Sequence, residues 1–188
     1  MIEKEYKALI TQKQYEYIKL MFEWKKCIMQ KNYYFDTDEM YCSQNDITVR
    51  IRQKKEGYYL QVKTPICCEG GLHIKKEYKK KLHHLKDVIT SNDFNELSVP
   101  VHIPDVKQIG NLITERLEFN INGTTLCLDK SKYNNIVDYE VEIEYSGEYV
   151  DAKLLEQVMS AGVKFNVKTE GKYTRFCKTL EKGVLSDG

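Results

Sequence analysis

Hydrophobic and polar residues alternate in short runs along most of the chain. In 47–53, ITVRIRQ, the residues Ile47, Val49 and Ile51 fall on one parity, and Arg50 and Arg52 on the other. In 58–64, YYLQVKT, Tyr58, Leu60 and Val62 alternate with Tyr59, Gln61 and Lys63. A period of two is the signature of a strand with one face buried. The same reading predicts strands over 2–9, 31–37, 47–54, 58–64, 72–79, 114–121, 124–130 and 137–145. Hairpin turns are expected at KKEGYY (54–59), through Gly57, and at NGTT (122–125), an Asn-Gly signal between two strands.

Helical spacing is rarer. Segment 11–24 opens on Thr11 as a cap and puts Tyr15, Ile18, Met21 and Phe22 on one stripe, with Trp24 as a packing residue. Segment 81–95 reads as a second helix, with His83 and His84 at its solvated start. Segment 150–161 carries Leu154, Leu155 and Val158 on one face and stops at Gly162. Segment 169–182 takes Thr169 as its cap and lines up Tyr173, Phe176 and Leu180. Many short strands joined by hairpins, with few helices, predict an α+β fold: an antiparallel sheet or closed barrel with helices packed outside.

The polar parities then become the informative part. Residues 2–9 put Glu3, Glu5 and Lys7 on one side, and 72–79 puts His73, Lys75, Glu77 and Lys79 together. Arg116 shares a side with Glu118, Asp129 with Cys127, and Glu140 with Glu142 and Glu144. For any one strand, a charged side is the wet face of a half-exposed sheet. Taken together, carboxylates gather on 2–9 and 137–145, while arginine and lysine gather on 47–54 and 58–64. Carboxylate oxygens suit hard divalent cations. Guanidinium and ammonium groups suit phosphate oxygens. About eight strands suffice to close a barrel. With the charged side inward, that barrel has a polar lumen that makes sense with metal and anion inside.

Composition bounds this picture. The 188 residues fit one domain, taken as 1–182 with a frayed 183–188 tail, and carry 41% hydrophobic and 30% charged residues. Lys and Arg number 29 against 28 Asp and Glu, a net charge of +1, which argues against a nucleic-acid binder. No apolar run approaches the roughly 20 residues of a membrane helix, and no secretory signal opens the chain. The six cysteines show no zinc spacing and read as reduced thiols of a cytoplasmic protein, with Cys67 and Cys68 in a loop. His73 reads as a surface residue sooner than one lining a tunnel mouth beside Lys75 and Glu77, and Asp36 as a support for a basic residue sooner than a direct ligand.

Nine motifs in order then resemble one family. EKEYK (3–7) resembles the E-x-E-x-K signature of the CYTH domain, the fold of the triphosphate tunnel metalloenzymes. NYYFDT (32–37), RIR (50–52), YLQVK (59–63), KKEY (75–78), Arg116, LCLDK (126–130), EVEIE (140–144) and GKYTR (171–175) follow in the family's order. The chain is most similar to the small single-domain bacterial members. One departure is Gly171, where a serine is common.

The resemblance implies an eight-stranded antiparallel closed β-barrel, a tunnel that binds a triphosphate. It implies metal-dependent hydrolysis of a small-molecule triphosphate such as inorganic, nucleoside or thiamine triphosphate, with Mg²⁺ or Mn²⁺. Glu3, Glu5, Glu77, Asp129 and the glutamates Glu140, Glu142 and Glu144 are the metal candidates. Lys7, Arg50, Arg52 and Lys63 are the catalytic contacts. Together with Lys79, Arg116, Lys172 and Arg175 they hold the phosphates. A class-IV-type adenylate cyclase making cyclic AMP from ATP, and a non-catalytic polyphosphate- or nucleotide-binding module, are the alternatives. The expected state is a monomer or homodimer without nucleic-acid or membrane partners.

Overall fold

The computed structural model describes residues 1–69, 71–165 and 169–184, the last four as backbone only. Its strands are β1 (Ile2–Ile10), β2 (Lys26–Asp36), β3 (Thr48–Lys54), β4 (Gly57–Glu69), β5 (Leu72–Leu82), β6 (Val88–Ile89), β7 (Val106–Ile121), β8 (Thr124–Tyr133) and β9 (Ile136–Tyr145). The helices are α1 (Gln12–Met21), α2 (Tyr41–Gln44), α3 (Ser91–Glu96), α4 (Ala152–Met159) and α5 (Lys172–Val184).

The strands pair in the order β2-β3-β4-β5-β1-β9-β8-β7-β6, every pair antiparallel, and β2 also pairs with β7. That last pairing closes eight strands into a barrel and leaves the two-residue β6 as an appendage of β7. The Asn122-Gly123 turn takes φ values of 48° and 74°, the mirror-image turn that matches strand twist. Asn134 and Asn135 make the β8–β9 turn in the same left-handed region.

The apolar parities face outward and are covered by helices. Ala8, Ile10, Leu126, Leu128, Val141 and Ile143 pack against Tyr15 and Ile18 of α1 and Leu154 and Val158 of α4. Phe35, Val49, Ile51, Leu60 and Val62 pack with Tyr173, Phe176 and Cys177 of α5. Each fully buried side chain of this kind is worth about 2 kcal/mol. Thr11 and Gln14 form a reciprocal capping box at α1. Asp151 caps α4 through Leu154 N at 2.9 Å. Gly110 takes φ +148° at a bulge between β7 and β2, with the Phe176 ring lying over it.

Several expectations need correction. Residues 81–95 are not one helix. Lys81 and Leu82 end β5, exposed His83 and His84 lie in a bend, and only Ser91–Glu96 is helical. The capping box of Thr90 and Asp93 sets that later start. Helix α1 ends at Met21, so Phe22 and Trp24 pack beyond it, their rings 5.6 Å apart. Helix α5 starts after Gly171, not at Thr169; Gly171 O accepts the first turn's bond from Arg175 N at 3.1 Å. Cys67 and Cys68 belong to β4, which runs on past a bulge at Pro65. His73 is buried rather than on the surface, 6% exposed and facing the same side as Glu5. None of the six cysteines is disulfide-bonded. Of the expected 183–188 tail, the backbone of 183 and 184 continues α5, and 185–188 lie outside the described residues.

Candidate functional site

A cavity of about 310 Å³ runs inside the barrel. Strand parity explains its wall: every second residue of β1, β3, β4, β5, β7, β8 and β9 points inward, and those were the charged parities. Nine Lys or Arg side chains and seven carboxylates line it. The lumen therefore carries a net positive charge, although the whole chain is nearly neutral.

Carboxylates concentrate on β1 and β9, and β3 lines the lumen with Arg50, Arg52 and Lys54 and no carboxylate. Across β1 and β9, Glu5 stands opposite Glu144 and Lys7 opposite Glu142. Carboxylate oxygens of Glu3, Glu5 and Glu144 lie within 4.8 Å of one another. That donor set is all oxygen and fits a hard divalent cation. Burial raises the pKa of Glu144, and repulsion from Glu142, Glu3 and Glu5 adds to it against the pull of Arg116. Such a carboxylate cluster is relieved by a cation.

Most expected phosphate contacts pair with expected metal ligands. Lys7 holds Glu5, and Lys63 holds Glu3 and lies 3.8 Å from Glu77. Arg116 forks onto Asp129 at 2.8 and 2.7 Å, reaches Glu144 at 3.1 Å and also holds Glu142. Lys172, from the first turn of α5, meets Asp129 at 2.8 Å, Glu140 at 3.0 Å and Glu142 at 2.7 Å. Burial opposes the charge of Glu142, yet Lys172 and Arg116 win, and its pKa lies well below the usual range.

The opposite wall differs. Arg50 donates to Gln61 at 3.0 Å, and Gln61 passes a bond to Glu77 at 2.6 Å. Arg52 donates to Asn32 at 2.8 Å. Among the described residues, no carboxylate lies within ion-pairing distance of Arg50 or Arg52. Burial and repulsion from Arg50 and Arg116 push the Arg52 pKa down to about 9, a guanidinium still charged at neutral pH.

Two expected residues stand behind the lining. Glu140 is 1% exposed and bridges Lys172 at 3.0 Å and Arg175 at 2.6 Å. Arg175 also meets Asp138 at 2.9 Å and so ties α5 to β9. Burial raises the Glu140 pKa to about 7, with Glu142 adding repulsion against the pull of Lys172 and Arg175. Asp36 accepts from the backbone N–H of Thr37, Cys42 and Ser43 and from the Tyr173 hydroxyl, so it anchors α2 and the residue after Lys172. Gln61 and Lys75, on the polar parities of their strands, and Asn32 of the NYYFDT segment also line the cavity, and so do Gln30, Thr48, Lys54 and Thr114, which the sequence reading does not single out. The inward parity of their strands was the available signal.

A closed antiparallel barrel whose lumen brings a carboxylate cluster together with rows of arginine and lysine defines a narrow class of proteins. The family model of the CYTH domain matches residues 1–177, and the chain belongs to that family. It is 28% identical over 200 aligned residues to the Bacillus subtilis (strain 168) protein named "Putative triphosphatase YjbK", covering 97% of this chain and 98% of that protein. It is also similar to the crystal structure of a Bacillus halodurans protein described as a "putative adenylate cyclase", at 26% identity, TM-score 0.68, and 92% and 95% coverage of the two chains. Hippeastrum HpAC1, described as showing a dominant triphosphatase activity, shares the fold at 18% identity, TM-score 0.71, and 95% coverage of each chain. Among the described residues, no helix is long and apolar enough to cross a membrane.

Proposed function

We propose that this protein is a metal-dependent hydrolase that cleaves a triphosphate held inside its tunnel. The observation that carries the reading is the convergence of Glu3, Glu5 and Glu144 across the lumen from Arg50 and Arg52, which have no carboxylate partner among the described residues. Family membership and the likeness to a protein named as a triphosphatase support the same reaction.

Glu3, Glu5 and Glu144 would hold Mg²⁺ or Mn²⁺, with Glu142, Asp129 and Glu77 as further oxygen donors nearby. The bound ion supplies charge neutralisation at the phosphate oxygens and positions a water. Arg50, Arg52, Lys63 and Lys7 grip the phosphate oxygens, and Arg116 and Lys172 neutralise charge from the α5 side, with Lys79 extending the basic wall. A water oxygen forms the new bond to the terminal phosphorus as the bridging P–O bond breaks. The diphosphate product keeps the bridging oxygen, and a wall carboxylate takes the water proton. Arg175 and Glu140 fix the position of Lys172 rather than touching the phosphates.

The test is phosphate release from inorganic triphosphate, ATP and thiamine triphosphate with Mg²⁺ or Mn²⁺. Release is expected from at least one, and no release by folded protein overturns the reading. Cyclic AMP formed from ATP in the same assay would assign cyclisation instead.

A further inference from the structure

Arg50, Arg52 and Arg116 line the lumen, and each gives its Nε–H to the residue directly across the ladder. Arg116 faces Asp129 and donates to its Oδ1 at 2.8 Å. Arg52 faces Asn32 of β2 and donates to its Oδ1 at 2.8 Å. Arg50 faces Gln61 of β4 and donates to its Oε1 at 3.0 Å. The geometry repeats, and the charge of the acceptor does not.

Asp129 accepts a second bond, from Arg116 Nη2 at 2.7 Å, and Glu142 and Glu144 take further bonds from the same guanidinium. The charge of Arg116 is thus spent within the wall. An amide has one accepting end and one donating end. Asn32 turns its oxygen to Arg52, and its other end, Nδ2, cannot close the second bond of a fork. Nδ2 has no hydrogen-bond partner among the described residues, although Asn32 is only 1% exposed. A buried donor left unpaired lowers stability, so its presence here calls for a reason. Glu77, whose charge reaches Arg52, is engaged by Gln61 at 2.6 Å and by Lys63 at 3.8 Å. Among the described residues, no group other than Asn32 accepts a hydrogen bond from Arg52, and its terminal nitrogens stay free.

We propose that Asn32 is a positioning residue for triphosphate binding: it fixes the Arg52 guanidinium through Nε with a neutral acceptor, so that the terminal nitrogens and the whole charge remain for phosphate oxygens. Gln61 stands in the same relation to Arg50. This rests on the tunnel being a phosphate site.

Titration calorimetry with tripolyphosphate at low salt, in EDTA so that nothing is hydrolysed, compares wild type, Asn32→Leu, Arg52→Ala and the double variant. Asn32→Leu removes the acceptor at similar size and should weaken binding about fivefold. In the Arg52→Ala background the same change should have no effect, because Asn32 acts through Arg52. An undiminished loss in that background overturns the proposal, since Asn32 would then contact the anion itself. Wild-type affinity in Asn32→Leu overturns it too. Asn32→Asp keeps the acceptor, breaks no hydrogen bond of Nδ2, and reproduces the pairing of Arg116 with Asp129. It should melt no lower than wild type yet bind tripolyphosphate about tenfold more weakly. Normal binding by folded Asn32→Asp overturns the need for a neutral acceptor. Wild type without affinity for tripolyphosphate would overturn the phosphate site and this role with it. Tripolyphosphate hydrolysis, assayed separately with metal, reports on the proposed reaction alone.

Discussion

Arg116 on β7 and Asp129 on β8 stand directly across the ladder and share two parallel hydrogen bonds, at 2.8 and 2.7 Å. Asp129 is fully buried and Arg116 nearly so. A buried fork of this kind is costly to break, because the surviving charge has no water to turn to. Asp129→Ala should therefore lose about 3 kcal/mol of stability, read as a lower urea midpoint. An unchanged midpoint would show that the remaining carboxylates Glu142 and Glu144 suffice for Arg116.

Arg52 makes the opposite case. It is half-buried, repelled by Arg50 and Arg116, and hydrogen-bonded through Nε to Asn32 rather than to a carboxylate. Arg52→Ala should leave the melting temperature unchanged or higher while raising KM for triphosphate about tenfold or more. A variant that melts lower and binds normally would make Arg52 a structural residue.

Gly110 is fixed by backbone geometry. Its φ is +148°, and a Cβ there would meet Cζ of Phe176 at 2.6 Å. Gly110→Ala should cost about 1–3 kcal/mol by strain and by displacing α5. Denaturant melts check this; a loss smaller than about 0.5 kcal/mol would contradict it.

His73 sets an acid limit. Burial, with repulsion from Lys7, lowers its pKa to about 4, below the ordinary 6.5. The unfolded chain then binds the extra proton between those values. Its stability contribution is full above pH 6.5 and falls as pH drops toward 4. His73→Gln should flatten the decline in melting temperature over that window. Parallel wild-type and variant curves would show that His73 takes no part.

Much of this was legible in the parity of the strands. Alternation in 2–9, 47–54, 58–64 and 137–145 assigned both the strands and the face that became the lumen, because a strand fixes direction with a period of two. The E-x-E-x-K resemblance then tied that face to phosphate and metal. Residues 81–95 misled because the apolar residues there serve a strand end, a bend and a two-residue edge, not a stripe. Glu140 and Arg175 could not be separated from their neighbours, because parity gives the face and not the depth along the barrel. His73 was misplaced because its partners, Glu5 on β1 and Cys68 on β4, are set by pairings that local sequence does not encode.

The central claim is that the convergent carboxylates serve a metal used in triphosphate cleavage. Phosphate release from inorganic triphosphate, measured with Mg²⁺ or Mn²⁺ for wild type and Glu144→Gln side by side, tests it most directly. The account predicts release by wild type only with metal. Glu144→Gln should lose at least the roughly hundredfold that even outer-shell changes can cost, with circular dichroism unchanged. Undiminished release by folded Glu144→Gln, or release by wild type in EDTA, would contradict it.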